Sequence, residues 1–518
     1  MSNKEGTIAQ KATQGLAFNS LRTVLSAILA LVYSVVAVRF LHIQNFGVLA
    51  FLDSIFSILG GLFMPLTHQA QARYVPELMA KDKYPQVRRL IGVGQKINIL
   101  LALSFALPFI VFAEPIAQAL GHADWTVYVQ LMALSMVISA GLGILKAILN
   151  AFYDQKFLSI WETFFSFLSL VLLITFVVFL EWGVLGAILV GVITYGASGL
   201  LYFYRMNTRY SSNVRGETEP IGKPLGSRIR KYVIPNALIN LVAQFSSIYG
   251  GVLLLGLLTD PTQVAYFDIP NTFVQRVFSQ VQLVIGGLSL VTLVEVSIRT
   301  PENLALAARQ FTKFVSVYAL PAMAGGLVLA SPILRVLYGT QALPAVMPFQ
   351  VLIISIGVAT ILQFSSVLLF VLDKAFRVLL WSCVNAAILI ALNLLLIPSM
   401  QSMGAVVALS VAVVFTGVGL TYDASVRLKV GSIVPFVAIS RASIASALMA
   451  VFLFGLGLLF SLATPVGLAL AIVLGLGVYL CLLRLLRVFS ETDRRLIEAS
   501  SVPLKSILLR FFWRAQEN

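Results

Sequence analysis

The chain has 518 residues, 59% of them hydrophobic and only 11% charged, with a formal net charge of +15 and a mean hydropathy of +0.95. A water-soluble protein keeps roughly a quarter of its residues charged, so this composition excludes a soluble enzyme, a nucleic-acid binder and a disordered protein. The outer surface must face lipid, and the basic residues punctuate apolar runs instead of forming a soluble basic face.

Residues 1–15 are polar and lack a secretory apolar core followed by a small-residue cleavage site. Beyond them, runs near the length of about 20 apolar residues that a spanning helix needs give about 14 spans. They fall at 16–41, 45–68, 88–113, 125–150, 158–180, 183–205, 229–257, 263–296, 307–336, 344–372, 376–398, 402–423, 436–461 and 465–486. Residues 378–422 contain no Asp, Glu, Lys or Arg and break only at Ile397-Pro398-Ser399-Met400-Gln401, so they read as two spans. Residues 442–483 are likewise uncharged and turn at Thr464-Pro465. Barrel strands would alternate in short segments, and these runs are continuous. The expected fold class is an all-α polytopic membrane protein.

One set of loops holds Arg73, Lys81, Lys83, Arg88, Arg89 and Lys156, then the basic residues of 205–231 and 299–313, then Lys374, Arg377, Arg427 and Lys429. The other set holds Glu114, Asp124, Glu181 and Asp260. Arg39, Arg276 and Arg335 are the exceptions to this bias. The basic side is the cytoplasmic one, and an even number of spans puts both termini there. Cys383 and Cys481 lie in apolar runs and suggest no disulfide framework. His42, His68 and His122 are scattered, so no metal site and no cofactor is expected.

The one sizeable loop, 206–227, separates six spans from eight, and the chain after it repeats the chain before it. Ala50-Phe51-Leu52-Asp53 recurs as Ala265-Tyr266-Phe267-Asp268, Gly121 as Gly339, and Gly186-Ala187 as Gly404-Ala405. Phe152-Tyr153-Asp154-Gln155-Lys156-Phe157 recurs as Val371-Leu372-Asp373-Lys374-Ala375-Phe376. Six is even, so the two copies are parallel repeats about an axis normal to the membrane, an architecture of transporters. The expected organisation is an N-lobe (1–205), a cytoplasmic linker (206–227), a C-lobe (228–430), two further spans (431–486) and a basic tail (487–518). Leu504, Ile507, Leu508, Phe511 and Phe512 give that tail an amphipathic pattern, suited to a lipid surface or a partner.

Polar residues are expensive inside spans and so mark function. The first span carries Asn19, Arg22 and Ser26, and Arg39 near its outer end. The second carries Asp53, Ser54 and Ser57. The seventh carries Asn236, Asn240 and Gln244 at a spacing of four. The eighth carries Asp268, Asn271, Gln275 and Ser279, with Arg276 beside them. Residues three and four apart share a helix face, so four polar stripes can line a wet cavity between two lobes. Blander readings stand beside this one. Arg22 and Arg39 can snorkel to lipid phosphate. The seventh-span amides can bond helix to helix. Asp53 and Asp268 can pair with a cavity arginine or couple transport to a proton or sodium. Pro65 and Pro270 can kink their helices. Arg73 and Glu77 read as loop organisers, and Lys146 and Glu162 as boundary residues.

Phe46-Gly47-Val48-Leu49-Ala50, Arg73-Tyr74-Val75-Pro76-Glu77-Leu78, Ile333-Leu334-Arg335-Val336-Leu337-Tyr338-Gly339, and Leu396-Ile397-Pro398 followed by Met403-Gly404-Ala405 carry a family resemblance. With two six-helix lobes and two extra spans, the chain resembles the multidrug/oligosaccharidyl-lipid/polysaccharide (MOP) exporter superfamily, and within it the Wzx-type O-antigen and oligosaccharide flippases. The resemblance implies a bacterial inner-membrane protein of polysaccharide or lipopolysaccharide biosynthesis. It would move an undecaprenyl-diphosphate-linked glycan to the outer leaflet by rocking of two lobes, beside polysaccharide polymerase machinery. In the related lipid II flippases, arginines on helices one, two and eight bind the diphosphate. Arg22 and Arg276 match that pattern, while the second helix here has Asp53 and no deep arginine. A multidrug cation antiporter of the same superfamily is the alternative, and it calls for an acidic, aromatic cavity. A membrane glycosyltransferase or polymerase would need larger outer loops, and a non-transporting membrane scaffold remains a third class.

Overall fold

The structure is a computed structural model. It describes residues 2–214, 216–245, 247–428, 433–490, 493–494 and 512, with the side chains of 2–24, 65, 212–213, 248, 280–292 and 301 outside the description. Among the described residues every regular element is helical. The elements are α1 (Ser2–Met79), α2 (Tyr84–Val111), α3 (Ala113–Ala119), α4 (Thr126–Ala151), α5 (Gln155–Leu173), α6 (Gly183–Arg209), α7 (Ser211–Val214) and α8 (Lys223–Phe245). They continue as α9 (Ile248–Leu258), α10 (Pro261–Arg299), α11 (Leu304–Tyr338), α12 (Val346–Val371), α13 (Ala375–Arg427), α14 (Phe436–Leu459) and α15 (Pro465–Leu485).

Ten of the described helices are long and apolar enough to cross a membrane, and the pair α8 and α9, bent by 48°, adds an eleventh. Two of them are double. The apolar part of α1 covers 40 residues and α13 covers 53. At 1.5 Å per residue these reach roughly 60 and 80 Å, about twice a hydrocarbon core or more. Each turns at one non-helical residue, His42 (φ 64°) in α1 and Gln401 (φ 50°) in α13. The spans at 16–41 and 45–68 are therefore joined without a loop, as are 376–398 and 402–423. Pro65 and Pro270 do not end their helices, and α1 and α10 continue through them. The break in the seventh span is built by serine. Ser247 Oγ donates to the Gln244 carbonyl (2.6 Å) and accepts the Tyr249 N–H (3.3 Å), ending one helix and capping the next.

The chain packs as two compact units, 1–268 and 269–518, divided within α10. In the first, α1 packs on α2, α4, α5, α6, α8 and α9. In the second, α12 packs on α11 and α13, and α11 also packs on α14 and α15. Each unit has a core at its basic end. Val87, Ile91, Ile148, Leu149, Tyr202 and Met206 are buried in the first, with Trp161 packed against them. Leu304, Ala308, Leu368, Leu369, Leu420 and Ala424 are buried in the second, with Trp381 packed against them. These are repeat-equivalent positions.

The backbone shows the same duplication at its turns. Gly121 and Gly339 both take positive φ, 83° and 87°, at a conformation that costs a residue with Cβ. After α4, the N–H groups of Phe152, Tyr153 and Asp154 bond Ile148, Asn150 and Leu149 carbonyls at 3.0 Å. After α12, Leu372, Asp373 and Lys374 repeat this on Leu368, Phe370 and Leu369 at 2.8–3.1 Å. Tyr153 and Asp373 carry the positive φ (59° and 55°), so the structural register is one residue later than the sequence match of Asp154 with Asp373. Gly186 and Gly404 each let the next span start against the last turn of the one before, next to the Phe176 and Leu396 carbonyls.

The described tail residues fold back onto the second unit. Asp493 is fully buried and accepts from Lys313 Nζ, from the Ser490 N–H (2.6 Å) and from its hydroxyl (2.8 Å). Phe489 and Phe512 meet edge to face with centroids 4.7 Å apart. Leu504, Ile507, Leu508 and Phe511 lie outside the described residues.

Candidate functional site

The second half of α1 and the pair α8–α9 run antiparallel inside the first unit and touch along their whole length. At the basic end, Arg228 Nη1 and Nη2 donate to the two Glu77 carboxylate oxygens at 3.1 and 3.3 Å. Lys81 donates to the same carboxylate (2.7 Å). One turn inward, the Tyr74 hydroxyl donates to the Arg228 carbonyl (3.0 Å), and the Tyr74 and Tyr232 rings meet edge to face, 6.0 Å apart. Further along, the Gln244 side chain lies on the bare backbone of Gly61, and any Cβ at Gly61 would overlap it. Near the opposite end, Phe51 lies against Gly256, and Gly47 against the Pro261 carbonyl oxygen. The expectation that Arg73 and Glu77 organise a loop becomes more specific here, because Glu77 ties the second span to the start of the seventh. Its two cationic donors, Lys81 first and then Arg228, hold its carboxyl below the usual range.

Midway along this seam is an acidic and aromatic cluster. Asp53 is exposed, yet Ser57, one turn on, hydrogen-bonds its carboxyl. The hydroxyls of Tyr33, Tyr195 and Tyr249 lie within its electrostatic reach. Tyr249 also bonds Ser57 and senses Asp268. Four spans therefore contribute to one cluster. Asp53, Ser57 and Gly61 form its stripe on the second span, facing Tyr249 and Gln244 on the seventh. Among the described residues no arginine or lysine pairs with Asp53. The polar stripes read from the sequence take in serine hydroxyls but leave out Tyr33, Tyr195 and Tyr249, whose rings count as apolar. An aromatic hydroxyl inside a span is the signal that would have found them.

The remaining candidates divide between the units. Asn236 donates to the Tyr232 carbonyl and Asn240 to the Asn236 carbonyl, both at 2.7 Å, so each commits one N–H to its own helix. In the second unit Asn271 is fully buried with both amide atoms unpaired among the described residues. Gln275 is exposed, and Arg276 is half-buried, its carbonyl accepting from Ser279 Oγ (3.2 Å). Arg39 is exposed, three residues before the His42 break. The side chains of Asn19 and Arg22 lie outside the described residues.

Ion pairs clamp the basic ends. Lys146 and Glu162, read as boundary residues, join α4 to α5 at 3.0 Å. Arg205 Nε and Nη2 donate to the Asp154 oxygens at 2.8 and 3.3 Å. In the other unit Arg377 Nε and Nη2 donate to Asp423 at 2.8 and 3.2 Å. Arg205 and Asp423 are repeat-equivalent, in the register of Gly186 and Gly404, so the two clamps are the same device with opposite polarity.

Comparison with known proteins agrees with this architecture. Residues 95–347, just under half of the chain, match the family described as "Polysaccharide biosynthesis protein". The fold is similar to the lipid II flippase MurJ in an inward closed conformation, with a TM-score of 0.70 at 15% identity, covering 90% of this chain and 98% of that one. It is also similar to an inward-facing multidrug resistance MATE family transporter of the MOP superfamily, with a TM-score of 0.66 at 12% identity, covering 78% and 94%. The Vibrio cholerae MATE transporter VcmN in its bent form matches with a TM-score of 0.53 at 16% identity, covering 81% and 98%. The fold is therefore that of the lipid II flippase and the MATE transporters, and the central part of the chain is similar to the polysaccharide-biosynthesis family. No curated protein sequence matches the chain significantly. The family match runs from α2 to the start of α12 and takes in α8 and α9. The part of α1 that carries Asp53, Gly61 and Glu77 precedes it.

Proposed function

We propose that this multi-pass membrane protein is a flippase for an isoprenoid-diphosphate-linked oligosaccharide, an O-antigen or other polysaccharide repeat unit. It moves its substrate from the cytoplasmic to the outer leaflet of a bacterial inner membrane by alternating access. The observation that carries the reading is a polysaccharide-biosynthesis family match within a fold shared along nine-tenths of the chain with a lipid flippase. Physical chemistry supports it. A diphosphate is strongly excluded from hydrocarbon, and arginine pairs with phosphate bidentately while staying charged. Arg276 and Arg22 are the residues assigned to hold it, with Arg39 at the outer end. Asn236, Asn240, Gln244, Asn271 and Gln275 suit sugar hydroxyls, which both donate and accept. Asp53 and Asp268 are the candidates for coupling to a proton or sodium.

Deletion of the gene in its host should abolish the surface glycan and leave lipid-linked repeat units inside the inner leaflet. A deletion strain with normal surface glycan overturns the flippase reading. The acidic and aromatic surroundings of Asp53 favour one second reading, a multidrug cation antiporter. That reading expects the deletion strain to become sensitive to cationic dyes while its glycan stays intact.

A further inference from the structure

At the basic end of the first unit one arginine keeps its charge unspent. The Arg73 guanidinium carbon lies 4.2 Å from the Tyr232 ring centroid and 5.6 Å from that of Tyr74. Arg73 is exposed, and among the described residues no carboxylate pairs with it. Its neighbours are accounted for differently. Glu77 alone serves both Arg228 and Lys81, so this group of three cations and one carboxylate retains two positive charges. A cation–π contact holds a guanidinium by its attraction to the ring and requires no conventional hydrogen bond. The two ring contacts therefore position Arg73 without pairing its charge. The platform is itself fixed, because Tyr74 is buried, its hydroxyl is bonded to the Arg228 carbonyl, and its ring is packed on Tyr232. A guanidinium that is held by rings, exposed and without a carboxylate partner among the described residues fits the two oxygens of a phosphate.

We propose that Arg73, on its Tyr74–Tyr232 platform, is a docking receptor for the phosphate-ester headgroup of the lipid-linked substrate, at the basic end of the seam and apart from the residues deep in the spans. The site rests on the flippase reading for the source of its phosphate. A pre-oriented arginine favours a ligand presenting two oxygens in fixed geometry, and the residual charge of the cluster matches a diphosphate. Bulk anionic phospholipid gains only the charge.

The test uses the full-length protein in zwitterionic nanodiscs, titrated with a long-chain isoprenyl diphosphate and, separately, placed in nanodiscs containing phosphatidylglycerol. Arg73→Ala should weaken isoprenyl diphosphate binding about tenfold or more, as expected for loss of a charge-assisted bidentate contact. Arg73→Lys, which keeps the charge, should weaken it severalfold, as should Tyr232→Ala, which removes the nearer ring of the platform. Association of phosphatidylglycerol should be the same in all four proteins. Unchanged diphosphate affinity in Arg73→Ala and Arg73→Lys, each with a wild-type melting midpoint, overturns the receptor. Equal loss of both lipids also overturns it, and shows a general membrane anchor. If the wild type itself fails to bind the diphosphate, the flippase reading fails as well. If the wild type binds and the variants bind equally, the receptor alone fails.

Discussion

The opposite polarity of the two ion-pair clamps predicts that one can be rebuilt in the image of the other. In the first repeat, Arg205 makes two contacts to Asp154, at 2.8 and 3.3 Å, with side chains 25% and 10% exposed. An exposed pair contributes about 0–1 kcal/mol, and breaking a buried one costs about 3–5 kcal/mol. This intermediate burial gives about 2 kcal/mol for Asp154→Ala, in line with the roughly 1.5–3 kcal/mol of hydrogen bonds to charged groups. Arg205→Asp should cost more, because it sets two carboxylates side by side and removes the cation from the Phe157 ring, 4.6 Å away; the ring contact alone is about 0.5–1 kcal/mol. In the second repeat, the turn register places Arg377 where the first has Phe157. Adding Phe157→Arg to Arg205→Asp should therefore recover at least about half of the lost stability, as coupled neighbours in a double-mutant cycle do. The assay is the apparent melting midpoint of the purified protein in detergent at one scan rate, with Asp154→Ala and Phe157→Arg as the other corners. If Phe157→Arg lowers the midpoint equally in both backgrounds, the two clamps are not equivalent devices and the shared register is wrong.

Other consequences are simpler to read. Gly61→Val should expel the Gln244 side chain from the seam; complementation of the glycan defect should be lost while membrane expression persists, and full complementation would show that the close approach is dispensable. Arg276→Ala should likewise abolish complementation at normal expression, and wild-type activity would remove Arg276 from the mechanism. Glu77 is held below its usual pKa of 4.5, so its contribution to stability is present above the unfolded value and is lost as pH falls through the lower folded one. The melting midpoint of the wild type should therefore drop faster than that of Glu77→Gln below about pH 4.5, and parallel curves would show that the Glu77 contacts contribute nothing.

What could be read from the sequence divides along physical lines. Hydropathy places spans well because lipid demands about 20 apolar residues in a row, and the charge-free stretch 378–422 was visible as two spans. It could not show that His42 and Gln401 each turn a helix at a single residue, since the φ of one residue leaves no trace in hydropathy. The same holds for the seventh span, where Ser247 ends one helix and caps the next. The polar stripe Asn236, Asn240 and Gln244 was legible from its spacing of four. Its partner was not, because the facing position is Gly61, a residue that offers no side chain to notice. The cluster around Asp53 was half legible. The carboxylate stood out, while the tyrosines counted as apolar mass although their hydroxyls are what it meets.

The duplication explains why some of its marks survive in the sequence and others do not. Gly121 and Gly339 hold positive φ, Gly404 admits the Leu396 carbonyl where a Cβ would overlap it, and Gly186 sits tightly against Phe176 and Trp182. Those constraints act on the backbone and accept few residues, so both copies keep glycine and the match is visible. A core position asks only for apolar volume, so Tyr202 and Met206 in one copy can correspond to Leu420 and Ala424 in the other. An ion pair asks less still of each partner, because it requires opposite signs and not a particular sign at either end. Arg205 and Asp423 can then occupy one structural position with opposite charge and hold the same two helices together. Side-by-side reading would score that pair as a mismatch, although it preserves the interaction.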